Sequence, residues 1–174
     1  MRVVGESDWI LSDVHISRME FSMEQARPYL DKTNPSIYKA LVKAVAENRE
    51  AAKAAGVSVA LMELVNVRVS ELNACATCLS VHHPAALKAG VSQVKLDVLS
   101  AWRDSSIYTA EERAALEIAE SLTVLDPALD RNALAQRVSE TLSTDQIAVI
   151  EWTATLINTF NRISIASGHP VRDY

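Results

Sequence analysis

The sequence predicts an all-α protein, and three observations support this fold class. Glycine and proline are scarce, with four and five residues in a chain of 174, which leaves few turns for a sheet of many strands. Apolar residues recur at helical spacing from Pro35 onwards. Segments beginning at Thr109 and Ser143 carry the Ser/Thr-x-x-Glu/Gln sequence that caps a helix N-terminus. The hydrophobic content of 49% is sufficient for a core, and the length is typical of one domain.

The predicted helices begin and end at residues that are typical of helix caps and helix ends. Asn34 can cap the first helix, with Pro35 in its first turn, and Gly56 ends it. Ser58 can cap the second helix in the same way. The full set of helices is predicted over 35–55, 59–73, 75–89, 93–99, 110–122, 131–141 and 144–167.

The chain divides into an arm and one helical domain. Residues 1–34 are assigned to an N-terminal arm, and the stretch 1–22, which has no clear period, is predicted to be extended. Residues 35–174 are assigned to a compact helical bundle. The helix over 144–167 is apolar on nearly all sides and has to be covered on most of them. It is either a central helix of the subunit or part of an interface between subunits.

Charge and hydropathy argue against several classes of partner. The net charge is −5 and no run of Lys and Arg stands out, so we expect neither a nucleic acid nor a membrane as partner. No apolar run approaches the ~20 residues that a membrane span needs. Residues 1–21 lack a basic start followed by an apolar stretch, so they do not resemble a signal peptide. We therefore expect a soluble, cytoplasmic protein. In the cytoplasm, thiols are kept reduced.

Cys75 and Cys78 are the strongest candidates for chemistry. Residues three apart on a helix are neighbours, so the two thiols can form a disulfide. The expected start of a helix at this point favours a thiolate, because free N–H groups stabilise negative charge. His82 follows Cys78 by four residues and can accept or relay the thiol proton.

Glu63 is a candidate partner for His82, provided that the chain reverses direction. It lies twelve residues before Cys75, ~18 Å away along a continuous helix. A reversal near residues 73–74, with Asn73 as the cap of the second helix, would place Glu63 against His82 and favour the protonated imidazole. The alternative is an exposed helix glutamate without a chemical role.

Two other interpretations of the cysteine pair stay open at this point. The cysteines can be two small buried residues, as free cysteines often are. A zinc site would use both cysteines, His82 and either His83 or Glu63, because thiolate and imidazole are the usual ligands of zinc. Structural zinc sites usually pair two separated clusters, and the sequence carries only one, so we assign no metal ligands.

The segment 63–82 resembles a known signature. The signature consists of a glutamate, a C-x-x-C pair that begins twelve residues later, and a histidine four residues after the second cysteine, which match Glu63, Cys75, Cys78 and His82. This spacing resembles that of the alkyl hydroperoxidase D-like (AhpD-like) branch of the carboxymuconolactone decarboxylase superfamily. The stretches 101–123 and 156–162 are similar to later blocks of that family, and the resemblance covers about 35–170. Two positions depart from the family. Position 77, often an aromatic residue or histidine in the family, is Thr77, and position 71, often glutamine, is Glu71.

The resemblance implies an all-helical fold, homo-oligomers that are often trimers or hexamers, and a peroxidase or disulfide reductase activity. It implies that Cys78 is the peroxidatic thiol, that Cys75 is the resolving thiol and proton donor, and that Glu63 and His82 form a proton relay. The expected partners are a hydroperoxide and a thiol, lipoyl or thioredoxin-like electron donor, and no cofactor is expected. Alternatives are a decarboxylase of the carboxymuconolactone type, against which the C-x-x-C pair argues, and a non-enzymatic zinc or redox-sensing module.

Overall fold

The regular secondary structure of the computed structural model, which describes residues 27–173, is entirely helical. Eight α-helices and one 3-10 helix, at Leu99–Asp104, lie in this range. The α-helices are α1 (Leu30–Thr33), α2 (Pro35–Ala54), α3 (Val59–Leu72), α4 (Ala76–Ala89), α5 (Gln93–Asp97), α6 (Ala110–Val124), α7 (Arg131–Ser139) and α8 (Thr144–Ser167). None of them is both long and apolar enough to cross a membrane. The all-α fold class is confirmed.

Local capping explains most of the helix boundaries. The Ser58 hydroxyl accepts a hydrogen bond from the backbone N–H of Leu61 at 3.1 Å and opens α3. Thr109 and Ser143 open α6 and α8 with complete capping boxes. Gly168 ends α8 with a left-handed φ of +64°, which a residue without Cβ adopts at little cost. These helices therefore begin and end close to the positions that the sequence predicts.

The role predicted for Asn73 is wrong. Cys75, with extended backbone angles, is the N-cap residue of α4, whereas Asn73 ends α3. The chain reverses through Ala74, which has a φ of +51°. The Asn73 amide instead donates to Asn158 Oδ1 at 2.8 Å and Asn161 Oδ1 at 2.9 Å, because α8 passes beside the end of α3.

Two short elements lie outside the predicted set. The 3-10 helix at Leu99–Asp104 follows α5 and buries Leu99 and Trp102. Helix α1 lies at Leu30–Thr33, inside the segment assigned to the arm, where the backbone N–H of Leu30 donates to Ser167 Oγ at 3.1 Å. The rest of the arm, residues 1–26, lies outside the described residues.

Helix α3 is the centre of the bundle. It packs against α4, α6 and α8, and most of its side chains from Leu61 onwards are buried. Helix α8 packs against α2, α3 and α6, and its inner side chains, among them Ile150 and Asn161, are buried. Trp152 and Ile165 on the same helix remain 59% and 46% exposed. The helix thus contributes to the core of the bundle and also presents apolar side chains on its surface.

Candidate active site

The reversal between α3 and α4 brings Glu63 and His82 into contact. Glu63 Oε2 and His82 Nδ1 lie 2.7 Å apart, and the two side chains are 8% and 19% exposed. A buried carboxylate needs such a partner to offset its lost hydration. When Glu63 is ionised, Nδ1–H is the donor, which orients the ring and leaves Nε2 available to exchange a proton.

The two cysteines lie at the start of α4 as free thiols. Both are buried, at 1% and 6% exposure, and their Sγ atoms are 2.7 Å apart, with the Cys75 thiol donating to Cys78. Burial, together with the hydrogen bond to Cys78, raises the pKa of Cys75 to about 12. Cys75 therefore keeps its proton at neutral pH and is suited to donate it.

Cys78 and His82 line one cavity of about 360 Å³. They lie one turn apart on α4, so both face this space from the same side. The opposite walls come from α1, α2, α8 and the chain after α8. The remaining lining residues are Tyr29, Asp31, Lys32, Tyr38, Thr77, Val81, Phe160, Ser164, His169, Pro170 and Arg172.

The chain after α8 and helix α1 cover the cavity. Thr77 Oγ1 donates to the carbonyl of His169 at 2.5 Å, and Arg172 N donates to Ser80 Oγ at 3.0 Å. His169 Nε2 lies 3.2 Å from Asp31 Oδ1, and this contact joins the two covering segments. The sequence interpretation did not include Asp31 or His169. The only available signal was a histidine directly after the residue that ends α8.

A larger cavity, of about 750 Å³, is lined by both members of the Glu63–His82 pair and by neither cysteine. Its walls come mainly from α2, α3 and α8 and include Glu63, His82 and Asn66. His82 and Phe160 line both cavities, so His82 is the polar residue that the two cavities share.

Glu71, one of the two departures from the family signature, lies in an ion pair, and the described residues offer no metal-ligand cluster. Glu71 Oε2 accepts from Arg68 Nη1 at 2.9 Å. Among residues 27–173, no group of three or more His, Cys, Asp and Glu side chains is arranged to hold a metal ion. Within this range the zinc interpretation therefore has no ligand set.

Arg68 also contacts Glu120, at the centre of a second polar cluster. Arg68 Nη2 lies 2.7 Å from Glu120 Oε1, to which Trp102 Nε1 donates at 2.9 Å, and Arg103 binds the other oxygen. Burial alone would raise the pKa of Glu120, but the hydrogen bonds from Trp102, Arg103 and Arg68 outweigh it and lower the pKa below its ordinary value.

Comparison with known proteins identifies the family to which this chain belongs. The carboxymuconolactone decarboxylase family matches residues 39–121. The uncharacterized protein YdfG of Bacillus subtilis is 36% identical over 107 residues, which cover 62% of this chain and 73% of that protein. The uncharacterized protein YnjA of Escherichia coli is 33% identical over 76 residues, covering 44% of this chain and 41% of that protein.

A solved structure shares the fold. The Agrobacterium tumefaciens protein, of unknown function and named as a candidate antioxidant defence protein AhpD, superposes with a TM-score of 0.74 at 24% sequence identity. The match covers 85% of this chain and 99% of that one. The chain belongs to the carboxymuconolactone decarboxylase family and has an AhpD-like fold. The resemblance inferred from the sequence is confirmed.

Proposed function

We propose that the chain is a thiol-dependent hydroperoxide reductase of the AhpD-like type. The observation that carries this proposal is the arrangement of Cys78, whose sulfur contacts the protonated Cys75 thiol and which opens into the same cavity as His82. A peroxidatic thiol needs a base, a nearby proton donor and a second thiol that resolves the oxidised product. His82 is the base, and Cys75 is both the proton donor and the second thiol.

The first step is attack on the peroxide. His82 accepts the proton of the Cys78 thiol, and Glu63 stabilises the imidazolium and holds its orientation. The Cys78 thiolate attacks the terminal oxygen of ROOH, so an S–O bond forms and the O–O bond breaks. The leaving RO⁻ takes the proton of Cys75. The products are ROH, a sulfenic acid on Cys78 and a thiolate on Cys75.

The second step closes the disulfide. The Cys75 thiolate attacks Cys78 Sγ, an S–S bond forms, and hydroxide leaves with the proton held by His82 to give water. The sulfur pair has lost two electrons, and the peroxide has gained them. The two sulfur atoms start 2.7 Å apart, so they need to move only a short distance to form the disulfide.

Turnover then needs a dithiol that reopens the disulfide by thiol exchange. We propose that the electron donor is a lipoyl or thioredoxin-like dithiol in the reducing cytoplasm. A thiolate of this donor would attack the sulfur atom of the disulfide that faces the smaller cavity. Because Cys75 is only 1% exposed and Cys78 lines the cavity, attack on Cys78 is the accessible route.

Peroxide consumption with dithiothreitol as reductant tests the proposal. The wild-type chain should consume hydroperoxide, Cys78→Ser should lose this activity, and Cys75→Ser should accumulate a sulfenic acid on Cys78 that dimedone traps. Mass spectrometry of alkylated protein should show a loss of two hydrogens after mild oxidation. A sulfenic acid found on Cys75 would reverse the two roles, and full alkylation of both thiols after peroxide treatment would contradict the mechanism.

A decarboxylase acting on a carboxylated lactone is the second candidate. It is favoured by one observation, that Glu63 and His82 also line the larger cavity, away from the thiols. Such a reaction does not need the cysteines. The double variant Cys75→Ser/Cys78→Ser should retain it, whereas hydroperoxide reduction should be lost in that variant.

We further propose a homo-oligomer, a trimer or hexamer, built partly on α8. Trp152 and Ile165 on the outer side of this helix are 59% and 46% exposed, and burial of such side chains between subunits would stabilise an assembly. Light scattering at micromolar concentration should give a mass of at least three chains. A monomer mass would contradict the interface.

A further inference from the structure

The larger cavity has the size and lining of a small-molecule site. Its volume of about 750 Å³ lies in the range of 300–1,000 Å³ that is usual for ligand pockets. Side chains from α2, α3 and α8 make most of its wall apolar. Among them are Val45, Met62, Leu156, Ile157 and Phe160.

Asn66 is the largely buried polar side chain of this cavity that makes no hydrogen bond within residues 27–173. It is 9% exposed, and its amide makes no hydrogen bond within the described part of the chain. Asn48, which lines the same cavity, is satisfied instead: its amide donates to Thr153 Oγ1 at 2.9 Å and to the Val149 carbonyl at 3.3 Å. No buried side-chain nitrogen or oxygen atom of the described residues lacks a hydrogen-bond partner, so the unbonded Asn66 amide reaches solvent in the cavity. It is therefore a group to which a bound molecule can hydrogen-bond.

The charges around the cavity restrict the head group of that molecule. Glu63 lies in the inner wall with His82, so an anionic head placed there would meet a carboxylate. Arg49 and Lys53 line the cavity from the exposed side of α2, together with Glu50. The inner end therefore favours a neutral oxygen, and the Asn66 amide can donate to it and accept from it.

We propose that the larger cavity binds an apolar molecule with one neutral oxygen head, an alcohol or a ketone, whose oxygen pairs with Asn66. Because His82 lines both cavities, an occupant also changes the reactivity of Cys78, and oxidation of the thiols in turn changes the affinity of the site. The coupling to Cys78 rests on the proposed relay, whereas the binding itself does not.

Calorimetric titration of the full chain with octanol, and separately with octanoate, tests the site. Octanol should bind one equivalent per chain and more tightly than octanoate. Asn66→Leu should weaken octanol binding about tenfold, since the side chain loses its hydrogen bond to the head group. The same variant should melt at no lower temperature, because the replaced amide makes no hydrogen bond within the described residues and leucine adds apolar contact to the cavity wall. Asn132→Leu, on the exposed surface of α7, is the matched control and should bind octanol unchanged.

A second measurement separates this inference from the proposed function. Iodoacetamide alkylation of the reduced thiols needs no peroxidase activity, and its rate at Cys78 should change at least twofold when octanol is saturating. Octanol binding without any peroxide consumption would remove the proposed function and leave the site. Peroxide consumption without octanol binding would remove the site, as would equal binding by wild type and Asn66→Leu. Tighter binding of octanoate would overturn the neutral head group.

Discussion

Glu63 and Glu120 are two largely buried carboxylates whose pairs with basic side chains each involve a residue of α3, and they differ in what their partners can do. Glu63 on α3 contacts one imidazole, that of His82, and lines the larger cavity. Glu120 on α6 receives Arg68, also on α3, together with Trp102 and Arg103. Their side chains are similarly enclosed, at 8% and 13% exposure.

The difference shows that burial of a carboxylate does not by itself indicate chemistry. Arginine keeps its charge at every physiological pH, so the Glu120 cluster cannot move a proton and instead holds α3, α6 and the 3-10 helix together. Histidine exchanges its proton near neutral pH, so the Glu63 pair can serve a reaction at Cys78. Loss of Glu63 should therefore reduce the rate, and loss of Glu120 should reduce stability.

The largest expected effect is on turnover, from Glu63→Gln. This variant keeps the shape of the side chain and removes the charge that stabilises the imidazolium. We expect dithiothreitol-dependent peroxide reduction to slow about 100-fold, the low end for general acid–base catalysis, with an altered pH profile and an unchanged melting temperature. Glu117→Gln, whose carboxylate meets Arg137 at 3.5 Å near the surface, is the control and should leave the rate unchanged. An unaltered rate and pH profile in Glu63→Gln would leave a simple Cys–His pair.

The next effect is on stability, from Glu120→Gln. The neutral amide keeps the size of the side chain but loses the charged acceptor for Arg68, Arg103 and Trp102. We expect the free energy of unfolding in urea to fall by about 2 kcal/mol, in the range for hydrogen bonds to charged groups, with peroxide reduction reduced less than about threefold. A rate loss comparable to that of Glu63→Gln would remove the distinction between the two carboxylates.

How far the sequence predicts these features depends on how local their causes are. Helix starts at Ser58, Thr109 and Ser143 are predictable, because a cap and its N–H partner lie within three residues of each other. The approach of Glu63 to His82 was also expected, since the chain reversal between them needs only a short turn.

The remaining features depend on contacts between distant parts of the chain. Thr77 and His169 are 92 positions apart, and Asn73 and Asn158 are 85 apart. No local pattern marks such pairs, so the cover over Cys78 could not be predicted, and Asn73 was assigned to a cap that Cys75 occupies. The cluster around Glu120 was missed for the same reason: its donors come from α3 and from an unpredicted 3-10 helix.

The pH dependence of the free energy of unfolding also tests the role assigned to Glu120, with a smaller expected effect. The pKa of Glu120 is lowered in the folded chain, so its contribution is complete above the unfolded-state pKa, ordinarily 4.5, and is lost as the pH falls through the folded value. Urea unfolding of wild type and Glu120→Gln should therefore differ fully at pH 7 and converge well below pH 4.5. A difference that persists unchanged in acid would mean that charge is not the cause.

The smallest expected effect concerns a second pairing of histidine with a carboxylate, His169 with Asp31. Its nitrogen and oxygen lie 3.2 Å apart, and both residues line the cavity over Cys78. Unlike Glu63 and His82, they sit on α1 and on the chain after α8, which are held to the bundle by a few hydrogen bonds rather than by a buried helix face. Such peripheral segments open locally with little cost.

Asp31→Asn should therefore loosen the cover without disabling the relay. We expect alkylation of Cys78 by iodoacetamide to become about threefold faster, as for loss of a weak ion pair, and the rate of peroxide reduction to stay within about twofold of wild type. Asp97→Asn, an exposed carboxylate on α5 that does not line this cavity, is the matched control and should change neither rate by as much. If Asp31→Asn instead slowed peroxide reduction as far as Glu63→Gln, contact between a carboxylate and an imidazole would be sufficient for the relay wherever it faces the thiol. The position of Glu63 on the central helix would then carry no special role.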